Sequence, residues 1–67
     1  MIETKISLKA ARVNANLTQE AAASFIDVKK ETISRWEKGK GEPKISQAIA
    51  LCSLYGVPLD NVIFLPS

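Results

Sequence analysis

The chain has 67 residues, 46% of them hydrophobic, and nine Lys and Arg against seven Asp and Glu give a formal charge of +2. That length allows one domain at most, and so small a domain is only marginally stable alone. With no His and a single Cys, Cys52, the chain has no intrachain disulfide and lacks the usual zinc ligand sets, so no metal site and no cofactor are expected. No leader peptide is visible and no apolar run is long enough to span a bilayer, so an intracellular protein with no membrane partner is expected.

In chain order, the first element is "ISLKAARVNANL", where Ile6, Ala10, Val13 and Leu17 fall at the spacing of one helical face. Ser7 is a plausible N-cap, and Asn14 to Asn16 mark the end. The second, "TQEAAASFI", has Thr18 as N-cap and Glu20 in the first turn, where the helix dipole favours an acid. Leu17 is placed to pack on Ala22 ahead of the cap. The small side chains of Ala21, Ala22 and Ala23 let another helix approach closely. Asp27 ends this element, being one of the few residues other than Gly that tolerate a left-handed turn.

A third helix is expected from about Lys30 to Lys38, with Val28, Ile33 and Trp36 facing inward and Lys30, Glu31, Ser34 and Arg35 outward. Trp36 shares a face with Ile33, which favours core packing over stacking on a base. Gly39, Gly41 and Pro43 stop the helix. The fourth, "SQAIALCSLY", has Ser46 as cap and Gly56 as terminator, with Ile49, Cys52 and Tyr55 on its inner face beside Ala48 and Leu51. Cys52 reads as a small buried hydrophobe. A fifth short helix, "LDNVIF", follows Pro58. No segment alternates over a useful length, so no strand is expected.

Charge is unevenly spread. Between Lys29 and Lys44 stand Lys29, Lys30, Arg35, Lys38, Lys40 and Lys44 against Glu31, Glu37 and Glu42. Such a run is either a solvated helix face or a surface for an anionic partner. Two short helices joined by a tight turn, the second basic and polar on its outer face, describe a helix-turn-helix at about residues 18–38.

The stretch "LTQEAAASFIDVKKETISRWEKGKGEP" resembles the helix-turn-helix of the lambda Cro and phage-repressor family, also called the XRE family. The residues that carry the resemblance are Thr18, Gln19, Ala23, Val28, Ile33, Ser34, Trp36, Glu37, Gly39 and Pro43. The tail "YGVPLDNVIFLP" is similar to the fifth-helix segment of these regulators, so the likeness runs from about Ile6 to Pro66. Three positions depart from the pattern. Asp27 stands where Gly is frequent, Lys29 where Ser or Thr caps the helix, and Ala22 where Leu is frequent. The last change leaves less core and implies low stability.

The resemblance implies a compact all-α, five-helix, lambda-repressor-like domain over residues 1–67. It also implies a transcriptional regulator, most simply a repressor of the kind carried by Gram-positive bacteria and their phages, acting on double-stranded DNA in the cytoplasm at the nucleoid. Its third helix would enter the major groove with its N-terminal residues nearest the bases. Lys29 and Lys30 then occupy a helix start that cations disfavour because phosphates there offset the loss in the complex. Lys30, Glu31 and Arg35 are candidates for base contacts: Arg and Lys pair with guanine, and Glu accepts from cytosine N4. An i,i+4 pair between Glu31 and Arg35 is the local alternative. The family places Gln19 on the phosphate backbone. Lys29, Thr32, Lys38, Lys40 and Lys44 are further backbone candidates, which position without specifying. Arg12 and Glu37 match a paired position that ties the first helix to the end of the third, a structural ion pair.

No catalytic residue stands out, since His, a Gly-rich phosphate loop and a carboxylate pair are all lacking, and no enzyme is expected. The rival class is a protein-interaction module, such as an antirepressor or antitoxin acting on another regulator. The apolar tail "VIFLPS" suits that reading, because Val62, Ile63, Phe64 and Leu65 need some cover. Phe64 and Leu65 are the expected contacts, whether in a homodimer, formed in solution or only on DNA, or in a heterodimer with another regulator.

Overall fold

The computed structural model describes residues 5–64. A short strand β1 (Ile6–Ser7) leads into α1 (Leu8–Asn14), α2 (Gln19–Phe25), α3 (Lys30–Glu37) and α4 (Ile45–Tyr55). A single 3-10 turn (Leu59–Asn61) and a strand β2 (Val62–Ile63) complete it. The two strands are parallel, Ile6 beside Val62 and Ser7 beside Ile63.

Local chemistry sets the helix ends. Ser7 Oγ accepts from the Ala10 N–H at 3.1 Å and Thr18 Oγ1 from the Ala21 N–H at 3.0 Å, so both N-caps form as expected. All four helices close with the same wrapped turn. One residue adopts positive φ, and the next N–H donates back to the final turn: Leu17 to Arg12 O, Val28 to Ala23 O, Lys40 to Arg35 O and Val57 to Cys52 O, at 2.9–3.2 Å. The positive-φ residues are Asn16, Asp27, Gly39 and Gly56, at φ 61°, 59°, 79° and 74°. Asp27 thus takes the left-handed conformation expected of it.

The core gathers Leu8 and Ala11 of α1, Ala22 and Ala23 of α2, Ile33 of α3, Leu51, Cys52 and Tyr55 of α4, and Val62 of β2. Ala22 and Ala23 are buried, and α2 makes its main helix–helix packing with α3. Val28 and Trp36 are half-buried against this core.

Several expectations are corrected. Among the described residues there are four α-helices, not five: the fifth is one 3-10 turn, after which the β-branched Val62 and Ile63 leave helical geometry and pair with β1. The strands themselves were not expected, because two residues are too few to show alternation. Ile6 belongs to β1 rather than α1, and Val13 is exposed. The inner face of α1 is Leu8, Ala11 and Arg12, and the buried arginine displaces the expected register. Ser46 is not a cap: α4 starts at Ile45 behind Lys44, whose N–H is taken by Gln47 Oε1 at 2.8 Å. Ile49 is 53% exposed, because Ala48, Leu51, Cys52 and Tyr55 form the buried stripe. The remaining tail residues, Leu65 and Pro66 among them, lie outside the described residues.

Candidate nucleic-acid interface

The turn between α2 and α3 joins the end of α2 to the start of α3. The Asp27 N–H donates to Ser24 O at 3.3 Å, and Val28 closes the turn onto Ala23. Lys29 is the N-cap of α3 and makes no side-chain cap bond, so the helix starts on the bare Lys29 carbonyl, which accepts from Thr32 N–H at 2.9 Å. Glu31, in that first turn, supplies the favourable charge that the cap does not.

Ile33 and Glu37 point α3 into the molecule, which leaves Lys30, Glu31 and Arg35 exposed on its outer side and Thr32 and Ser34 half-buried at its margins. The i,i+4 alternative does not form: among the described residues no ion pair joins Glu31 to Arg35. Arg35 instead lies near the glycine loop, since a Cβ on Gly41 would stand 3.9 Å from Arg35 Nη2. The loop also carries Lys38 and Lys40, both exposed, and Lys44 follows, exposed at the head of α4.

Behind this surface lies a buried polar network. Arg12 Nε donates to Glu37 Oε2 at 2.7 Å and Arg12 Nη2 to Glu37 Oε1 at 3.2 Å. Arg12 Nη1 donates to Leu17 O at 2.8 Å. The hydrogen bonds to Glu37 raise the Arg12 pKa above its ordinary value, against the opposing effect of burial. Gln19 Nε2 joins the same carboxylate at 3.0 Å from Oε1. The residue expected on the phosphate backbone is therefore oriented by the Arg12–Glu37 pair, a link that sequence reading missed. It also missed a contact across the turn, where Lys30 Nζ lies 3.7 Å from Glu20 Oε2. The available signal was an acid and a base in the first turns of consecutive short helices.

Phe64 is half-buried and lines an apolar cleft of about 190 Å³ with Pro43, Ile45, Ala48 and Leu59, edged by Glu42. Exposed Ile45 and Ile49 extend this apolar face along α4. Among the described residues no helix is long and apolar enough to cross a membrane, and no group of three or more Cys, Asp or Glu is placed to hold a metal.

Comparison with known proteins agrees with this geometry. The family model described as Helix-turn-helix matches residues 8–62. The chain is 36% identical over 58 residues to an uncharacterised HTH-type transcriptional regulator of Methanocaldococcus jannaschii, covering 87% of this chain and 88% of that one. It is 32% identical over 62 residues to the HTH-type transcriptional activator BcrR of Enterococcus faecalis, covering 92% of this chain but 30% of the activator. It is 38% identical over 52 residues to the cryptic phage CTXphi transcriptional repressor RstR of Vibrio cholerae, covering 78% of this chain and 47% of the repressor. Relatives in an archaeon and in Vibrio as well as Enterococcus do not tie the chain to Gram-positive bacteria. No solved structure gives a significant match. With the family model spanning nearly all the described residues and the motif formed by α2, the Asp27 turn and α3, the chain belongs to the helix-turn-helix family of Cro and the phage repressors.

Proposed function

We propose that this chain is a transcriptional regulator that binds double-stranded DNA sequence-selectively, with α3 in the major groove. The observation that carries this reading is the division of α3. Ile33 and Glu37 anchor it while Lys30, Glu31 and Arg35 stand exposed together, where base edges are read. Gln19, Lys29, Thr32, Lys38, Lys40 and Lys44 flank that row and supply phosphate contacts. Repression is the simplest mode of action, since a domain seated on an operator blocks other proteins without further parts. The Vibrio relative is named a repressor and the Enterococcus relative an activator.

One short recognition helix reads few base pairs, and a domain this small makes a small interface. A homodimer on a two-fold site doubles the contacts and sets the two recognition helices about 34 Å apart. The apolar face of Phe64, Ile45 and Ile49 is available for that pairing. The same face favours a second reading, in which the chain docks on another regulator as an antirepressor or antitoxin does. Mobility-shift titration with mixed genomic fragments separates the two: salt-sensitive retardation supports the DNA reading, and its absence at all salt concentrations supports the protein-docking one.

A further inference from the structure

Six cations lie between Lys29 and Lys44, and among the described residues only Lys30 has a carboxylate within ion-pair distance. Its partner, Glu20, belongs to α2 and faces it across the turn at 3.7 Å, with the two side chains 52% and 68% exposed. At that separation the contact is Coulombic rather than a hydrogen bond, and so exposed a pair is weak and opens readily. Lys30 is also the first residue of α3 and Glu20 the second of α2, so the pair links the first turns of the two helices through their side chains.

If α3 faces DNA as proposed above, the Lys30 ammonium has two anions competing for it. We propose that Glu20 tunes the affinity of the recognition surface by holding Lys30 away from DNA: the pair is closed in the free protein and opens when Lys30 engages the duplex. Glu20 therefore weakens binding, and it does so through Lys30. An acid at this position has a local role as well, since it favours the α2 dipole, but that role does not depend on Lys30.

The test is a cycle of four proteins, wild type, Glu20→Gln, Lys30→Met and the double variant, titrated at low salt by fluorescence anisotropy against a labelled mixed-sequence duplex. Melting curves establish that each is folded; both positions are more than half exposed, and both replacements keep helix propensity. Glu20→Gln is expected to tighten binding about two- to five-fold, the range that an exposed pair of this kind supports. In the Lys30→Met background the same change is expected to have no effect. Equal tightening in both backgrounds overturns the proposal, because Glu20 would then repel phosphates directly. Unchanged or weakened binding by Glu20→Gln overturns it too. Failure of the wild type to bind any duplex removes the DNA reading and this inference with it, a result distinct from binding that Glu20→Gln leaves unaltered.

Discussion

Arg12 and Glu37, 25 residues apart in sequence, meet in a two-point contact of 2.7 and 3.2 Å, with their side chains only 11% and 4% exposed. The contact fastens α1 to the end of α3, and Gln19 adds the start of α2 to the same carboxylate. Helices α1, α2 and α3 are thus joined by one polar cluster centred on the buried Glu37 carboxylate. Removing one partner leaves the other desolvated and unpaired, which costs about 3–5 kcal/mol. Arg12→Ala and Glu37→Ala are each expected to lower the melting temperature sharply. The double variant should lose less than the sum, and strict additivity in thermal melts would contradict the coupling.

The uncapped start of α3 sets stability against binding. Lys29→Ser supplies the missing cap and is expected to raise stability by about 0.5–2 kcal/mol in denaturant titration. The same change removes a cation beside the groove, so DNA affinity should fall and its salt dependence flatten. Stabilisation without any loss of affinity would remove Lys29 from the interface.

The parts of the fold legible in the sequence are those with local signals. Ser7, Thr18, Asp27 and Gly56 mark their boundaries by cap and turn chemistry, which acts over three or four residues. What was not legible depends on contacts distant in sequence. β1 and β2 are two residues each and gain their pairing only when Ile6–Ser7 and Val62–Ile63, far apart in sequence, meet. Apolar residues surround α4, so periodicity could not separate the buried Ala48 stripe from exposed Ile45 and Ile49. On α1 the helical face was counted on apolar residues alone, which left Arg12 off the inner face although its pairing with Glu37 was expected from the family resemblance. In the candidate site, the outward row Lys30, Glu31 and Arg35 followed from helical spacing alone. The Gln19–Glu37 and Glu20–Lys30 contacts did not, because both cross the turn.

Tyr55 gives the fold an alkaline limit. Burial, with the charge of Glu37 adding to it, pushes its phenol from the ordinary value of 10 up to about 12. Below pH 10 the phenol is protonated in both states. Between pH 10 and about 12 the unfolded chain releases the proton while the folded chain keeps it, so stability falls by on the order of 2–3 kcal/mol. Tyr55 is the sole tyrosine, so tyrosinate absorbance reports on it directly. The wild type should lose stability over this window relative to Tyr55→Phe, and parallel curves would contradict the assignment.

The apolar cleft bears on assembly. Phe64→Asp places a charge against Pro43, Ile45 and Leu59, and is expected to abolish cooperative filling of paired half-sites while a single half-site is still bound weakly. Footprints confined to one half-site in the wild type, or a dimer in sedimentation that Phe64→Asp leaves intact, would count against pairing through this face.

The central claim is that the exposed row of α3 reads bases, and selection of bound duplexes from a random pool tests it most directly. The wild type should return a two-fold symmetric consensus. Lys38→Ala should return the same consensus with affinity reduced about equally for all sequences, as expected for a phosphate contact. Arg35→Ala should relax one base pair in each half-site, with a loss of about 1–3 kcal/mol at that position. A consensus that Arg35→Ala leaves unchanged, or no consensus from the wild type, would contradict base reading by α3.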